Sequence, residues 1–175
     1  MFGKRLGHPK PDPIKAGQRS VWDFPRPPAL ERVRGSLRIG LGGEVVAATE
    51  AGLMVLETSH PPVYFFPRAD VDERFVRASP RGKTHCEWKG AATYWDVVVG
   101  EILLEAVAFS YERPVPRFAE LRGMLSFYAG PFIERGGACF VGDERAEPQP
   151  GGFYSGWVTS GYAGPFKGIE GSWGW

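Results

Sequence analysis

From Ser36 onward the apolar residues fall on alternate positions. Leu37, Ile39 and Leu41 alternate with Ser36, Arg38 and Gly40, the two-residue period of a strand with one buried face. Gly42-Gly43 supplies the positive φ that a short turn demands and predicts a hairpin into residues 44–49. A turn at Ala51-Gly52 leads to a third strand over 53–57. Residues 63–66, bracketed by Pro61-Pro62 and Pro67, read as a short strand at a sheet edge, because proline has no N–H to give to a ladder. The longest alternation, over 93–99 and 102–111 around Gly100-Glu101, predicts a long hairpin. Short strands are expected over 124–128 and 139–141, the latter turning at Gly142-Asp143, with a helical turn over 116–121. Asp70-Val71-Asp72-Glu73 has the form of a capping box, an N-cap carboxylate with Glu three positions later, and predicts a short helix over 71–77.

The ends of the chain break the period. Lys4, Arg5, Lys10 and Lys15 stand among glycines and prolines with no apolar stripe to bury, so residues 1–18 are expected to form a flexible basic tail and residues 19–175 a single domain. Val21-Trp22-Asp23-Phe24-Pro25-Arg26-Pro27-Pro28 reads as an extended arm anchored by Trp22 and Phe24. Residues 151–175 combine eight glycines with seven aromatics. Aromatics at that density are costly to leave in water, so this segment is expected to lie ordered across the core. The fold predicted is mainly β: a small single domain of bent antiparallel sheets and hairpins with one or two short helices.

Composition narrows the class further. A chain of 175 residues suits one well-buried core, and 24 Gly, 16 Pro and six Trp favour turn-rich β structure over helical bundles. A formal net charge of +1 gives no electrostatic pull toward nucleic acid or an anionic membrane. Two cysteines are too few for a disulfide framework or a four-thiolate zinc site, and no apolar run is long enough to span a bilayer or serve as a secretory leader. The expectation is a cytoplasmic protein with no membrane partner, no nucleic-acid partner, and self-association left open.

Chemistry concentrates in Thr84-His85-Cys86-Glu87-Trp88-Lys89-Gly90. On one continuous strand His85, Glu87 and Lys89 share a face while Cys86 and Trp88 share the other, which makes Cys86 a small buried hydrophobe. A bend near Gly90 would instead turn Lys89 toward Cys86, where an ammonium favours the thiolate. Other motifs carry less. Arg81-Gly82-Lys83-Thr84 imitates the end of a phosphate loop, but Arg77 stands where that loop needs glycine and no helix pattern follows. The capping box accounts for Asp70 and Asp72 without a metal. Glu57, His60, His85 and Cys86 show no recognised ligand interval, so neither metal nor cofactor is expected.

Several separated motifs occur in an order that resembles one family. They are the arm at 21–28, Leu56-Glu57-Thr58-Ser59-His60-Pro61-Pro62, Cys86-Glu87-Trp88-Lys89-Gly90-Ala91-Ala92 with Tyr94-Trp95, and an ending that runs from Pro148-Gln149-Pro150-Gly151-Gly152-Phe153-Tyr154 to Trp173-Gly174-Trp175. Together they resemble the domain-of-unknown-function 427 (DUF427) family over nearly everything after residue 19. The resemblance implies a small β domain of bent antiparallel sheets. It places the family's recurrent Cys, Lys and Gly on Cys86, Lys89 and Gly90, and its His-Pro-Pro on His60-Pro61-Pro62. The family has at times been labelled nucleotidyltransferase, a label this chain's motifs do not support: it has neither a Gly-Ser with a following acidic pair nor a phosphate loop. Where members often carry Trp, this chain has Phe109-Ser110-Tyr111, which can stack but cannot donate an N–H bond.

These readings set three functional expectations. The first is a small molecule bound between sheets in an aromatic-lined pocket near Cys86-x-x-Lys89-Gly90. Trp22, Tyr64, Trp88, Tyr94 and Tyr111 would supply the walls, and Arg26, Glu57, His60, Cys86 and Lys89 the polar groups. The second is a thiol-dependent enzyme with Cys86 as nucleophile, Lys89 lowering its pKa, and His60 or His85 moving protons. The third is an interaction module acting through the C-terminal aromatic segment.

Overall fold

A computed structural model describes residues 4–175 of the chain, so the first three residues of the predicted 1–18 tail lie outside the described residues. Following the chain, β1 (Arg19–Ser20) leads through a 3-10 turn at Val21–Asp23, whose Trp22 N–H donates to Ser20 Oγ, into β2 (Ala29–Arg32). The predicted Gly42-Gly43 hairpin is β3 (Leu37–Leu41) with β4 (Glu44–Thr49). The third predicted strand, β5 (Leu53–Leu56), leaves that sheet and pairs with β2 on one side and β6 (Val63–Phe65) on the other. Two short strands, β7 (Val76–Ala78) and β8 (Thr84–Cys86), pair with successive parts of β9 (Gly90–Val99), which forms the long hairpin with β10 (Ile102–Ser110). β11 (Leu125–Phe127) extends that sheet and also bridges Phe66 beyond β6. The helix α1 (Ala129–Glu134) follows, then β12 (Ala138–Val141) returns to β3 and β13 (Glu144–Arg145) closes that edge. The chain ends through β14 (Glu147–Pro148), β15 (Trp157–Val158) and β16 (Tyr162–Ala163), the last pairing in parallel with β1.

The sheet β2-β5-β6 divides the interior in two. Met54 and Leu56 of β5 enter a large core with Ile39, Phe127 and Phe132, while Leu53 and Val55 enter a smaller aromatic one with Tyr94, Phe109 and Leu121. Burial on both faces is why Leu-Met-Val-Leu reads as an unbroken apolar run rather than an alternation. β10 likewise sends Ala108 to the large core and Phe109 to the small one. Its ladder to β9 slips between Leu104 and Ala108, and Ala106 takes a left-handed φ of 48°. Its freed N–H donates to Asp96 Oδ1 at 2.8 Å, a carboxylate that is itself buried. The bulge therefore rests on a buried hydrogen bond, and it shapes the wall of the small core.

The helix predicted over 71–77 does not form. Arg68–Asp70 is a 3-10 turn and Val76–Ala78 is strand. Both acids of the apparent capping box are used elsewhere: Asp70 accepts from the Thr49 hydroxyl at 2.7 Å, and Glu73 Oε1 lies 3.5 Å from the Arg68 guanidinium, while Asp72 between them accepts from the Arg74 N–H at 3.0 Å. Val71 bridges Ala47, so cross-sheet pairing overrides the local signal. α1 had no counterpart in the sequence reading, although Pro131 in its first turn and Gly136 at φ 79° just past its end are both helix punctuation.

The C-terminal segment crosses the molecule. Trp157 is 1% exposed and donates its Nε1–H to the Phe127 carbonyl at 2.8 Å, and Trp175 is also buried, whereas Phe153 and Trp173 stand in solvent. Residues 4–18 run beside it without a regular element. Leu6 N–H donates to Gly171 O at 2.9 Å, Asp12 N–H to Gly164 O at 2.8 Å, and Trp175 Nε1–H to Gly7 O at 3.0 Å.

Candidate functional site

The Thr84–Gly90 segment is not one continuous strand. β8 stops at Cys86, Glu87, Trp88 and Lys89 form a turn, and Gly90 opens β9 opposite Cys86. Gly90 has φ 109°, a left-handed conformation, and a Cβ there would lie 3.2 Å from the Arg113 carbonyl oxygen. Any side chain would be strained on both counts, so glycine is what lets the hairpin fold back. The turn cancels the strand alternation that separates Cys86 from Lys89. Both line the same cavity.

That cavity has a volume of about 590 Å³ and lies on the small-core side of the β2-β5-β6 sheet. Its size falls within the range of about 300–1,000 Å³ usual for ligand sites. Val55 and Val63 of the β2-β5-β6 sheet, Ala92, Tyr94 and Phe109 of the β9-β10 hairpin and its Ala106 bulge contribute walls, and residues 152–155 a roof. Glu57, His60, Cys86, Lys89, Tyr94 and Tyr111 all line it. Four other expected residues lie outside the lining, each committed to packing. Trp22 donates its Nε1–H to the Pro165 carbonyl at 3.0 Å and meets Trp175 edge-on, and Tyr64 is buried against Trp157. Trp88 packs on the outside of the small core. The Arg26 guanidinium is spent on the Thr58 and Trp175 carbonyls, at 2.9 Å each, and it contributes only its charge to the site.

A chain of hydrogen bonds orients Glu57. Gln149 is buried; its Oε1 accepts from the Gly156 N–H at 3.1 Å, and its Nε2 donates to the Lys167 carbonyl at 2.8 Å. Those two bonds fix which end of the amide is which. The second N–H of Nε2 points at His60 Nδ1, 2.9 Å away, so Nδ1 must be the acceptor. The imidazole proton therefore sits on Nε2, which donates to Glu57 Oε2 at 3.0 Å. Burial alone would push the Glu57 carboxyl up, but the His60 hydrogen bond and the charges of Lys89 and Arg26 hold it below its ordinary value of 4.5. Oε1 accepts no protein hydrogen bond among the described residues, so this ionised carboxylate keeps an open acceptor at the cavity.

The half-buried Cys86 thiol lies beside Tyr111 on the same cavity, and Lys89 Nζ lies 5.8 Å from the centre of the Tyr111 ring. Burial raises the Tyr111 phenol well above its usual range, with the Cys86 neighbour adding to the rise, so it remains a neutral O–H. Cys139 offers a contrast: it is fully buried in the large core, and desolvation pushes its thiol up to about 12. At the rim the Arg81 guanidinium lies 4.3 Å from the Tyr94 ring centre, and Thr84 shares a hydrogen bond of 2.6 Å with the Tyr94 hydroxyl.

The roof is pinned by a backbone crossing. A Cβ on Gly151 would lie 2.0 Å from the Gly168 carbonyl oxygen, and one on Gly168 1.9 Å from that of Pro150. Neither position has room for a side chain. Beyond that crossing Phe153 is 77% exposed and meets Tyr154 edge-on, while Tyr154 packs edge-on against His60.

A family model described as domain of unknown function (DUF427) matches residues 29–140, more than half of the chain. The chain belongs to the DUF427 family. No curated protein matches it.

In this DUF427 domain the matched region carries Glu57, His60, Cys86 and Lys89, whereas Gln149 and the roof follow it in the chain. Sequence reasoning missed Gln149, Phe109 and Tyr128 as parts of the site. Nothing in a Gly/Pro-rich stretch marks a glutamine as an imidazole's partner. Phe109 was in view only as a departure from a family Trp, and its place on the cavity wall follows from the strand alternation that also puts Tyr111 there. Among the described residues no three His, Cys, Asp or Glu gather in a way that could hold a metal ion. Also among them, no helix is long and apolar enough to cross a membrane. A more open depression of about 420 Å³ between Gly40–Val45 and Gly136–Ala138 carries Arg38 and Arg145 flanking Phe140, without thiol or imidazole.

Proposed function

We propose that this DUF427 domain binds a small molecule in the cavity beside Cys86-x-x-Lys89-Gly90. The observation that carries the reading is convergence. Glu57, His60, Cys86 and Lys89, drawn from two separate stretches of sequence, meet on one cavity walled by Tyr94, Phe109 and Tyr111. Apolar walls with a few fixed polar groups are the general makeup of small-molecule sites, and here the polar groups are pre-oriented. A thermal-shift panel of nucleotides, sugars, amino acids and carboxylates, followed by chemical-shift mapping of each hit, tests it. Hits that perturb Tyr94, Phe109 and Tyr111 support the reading; a panel without hits, or hits that map elsewhere, overturns it.

One observation favours a second reading, a thiol-dependent enzyme. Cys86 reaches the cavity in contact with Tyr111, and Lys89 faces the same space. In this version Lys89 favours the thiolate and Cys86 attacks. His60 is a poor proton acceptor for it, because Nδ1 already receives the Gln149 N–H and Nε2 carries its own proton. Alkylation of Cys86 by iodoacetamide followed against pH decides the matter. Reactivity that rises only above the ordinary thiol range removes this reading and leaves binding untouched.

A further inference from the structure

Glu57 and Lys89 face one cavity with opposite charges, yet they do not close on each other. Among the described residues Glu57 pairs within contact distance only with His60 and Lys89 Nζ forms no ion pair, resting above the Tyr111 ring. They are close enough for Lys89 to stabilise the Glu57 charge. Each keeps unused hydrogen-bonding capacity toward the cavity: Oε1 as an acceptor and Nζ as a three-fold donor. A cleft that holds an anion and a cation apart is complementary to a ligand head bearing both charges in the reverse order.

The surroundings refine that head. Lys89 and Arg81 line the cavity, Arg26 and Lys167 lie close enough to act on Glu57, and the lining acids are Glu57 and Glu105. Positive groups outnumber negative ones, so a ligand carrying only an ammonium meets net repulsion. A carboxylate is needed to satisfy Lys89, and an ammonium beside it uses Glu57. The apolar remainder of the space, between Tyr94, Phe109 and Tyr128, accommodates a ring packed offset or edge-on.

Resting on the pocket reading above, we infer that the ligand class is an aromatic α-amino acid or a close zwitterionic relative, its carboxylate on Lys89, its ammonium on Glu57, and its ring against Tyr94 and Phe109. Gln149 and His60 are positioning residues that hold the Glu57 carboxylate.

Three probes that share a phenyl ring and differ in head charge test this: L-phenylalanine, 3-phenylpropionate and phenethylamine, titrated calorimetrically into the full chain. Phenylalanine is expected to bind tightest and phenethylamine weakest. Glu57→Gln, close to isosteric, should weaken phenylalanine by about ten- to a hundredfold, the worth of one hydrogen bond to a charged group, and leave 3-phenylpropionate unchanged or improved. Lys89→Met should weaken both. Melting curves of the two variants check that each remains folded. If 3-phenylpropionate binds as well as phenylalanine and Glu57→Gln moves neither, the cavity is a binding site but the zwitterion inference is overturned. Silence from all three probes also overturns it, and the broader panel then judges the pocket separately.

Discussion

The Gln149 side-chain amide donates to His60 Nδ1 at 2.9 Å, and that bond decides where the imidazole proton resides. Protonating Nδ1 would set two donors face to face, so the ring is held as an Nε2–H tautomer aimed at Glu57. Proton-detected ¹⁵N spectra of His60 near neutral pH should show Nε2 protonated and Nδ1 bare. Gln149→Ala should remove that preference, and the opposite tautomer in the unaltered chain would overturn the assignment of the whole chain of bonds.

Glu57 makes stability depend on acid. Its folded carboxyl titrates below the ordinary 4.5, so the folded chain takes up that proton less readily than the unfolded one. The stabilisation is complete above 4.5 and drains away as pH falls through the lower folded value. Melting temperatures of the unaltered chain and of Glu57→Gln, compared across that range, should therefore converge on acidification. A gap that stays constant from neutral pH down to strongly acidic conditions would refute the role given to this carboxylate.

The two cysteines should separate cleanly in a thiol-titration assay. Cys86 is half-buried at the cavity, while Cys139 is sealed in the large core with its thiol pushed up to about 12. Under native conditions at mildly alkaline pH one thiol should react, and in denaturant two. Cys86→Ser should abolish the native reaction. Two native equivalents would show that the β12 core opens readily.

Ser126 sits on β11 opposite Phe109, and its hydroxyl finds no hydrogen-bond partner among the described residues although it is fully buried. Replacing it with alanine removes an uncompensated polar atom and leaves only a small void. Ser126→Ala should be neutral or stabilising by up to about 1 kcal/mol in denaturant unfolding. A loss of more than about 1 kcal/mol would mean that the hydroxyl has a partner after all.

Much of this fold was legible in the chain because its strongest signals are local. Gly42-Gly43 between two alternating runs and the 93–111 alternation around Gly100 gave β3-β4 and β9-β10 directly. Local signals failed where distant partners claimed the same atoms. Asp70 and Glu73 have the spacing of a capping box, but the Thr49 hydroxyl takes the Asp70 carboxylate and Ala47 bridges Val71. The site was half legible for a similar reason. Cys86 and Lys89 stand out by their chemistry and Gly90 by the bend a glycine permits, whereas Gln149 reaches His60 across 89 positions, a pairing no short pattern carries.

The crossing of residues 151 and 168 has a consequence for how such a cavity can be altered. There two main chains lie in contact next to the roof, with no side chain between them to enlarge or trim. Phe153 and Tyr154 follow that crosspiece and line the cavity, and Phe153 has solvent around most of its ring. Redesign of ligand preference should therefore begin with those two aromatics and leave the two glycines untouched.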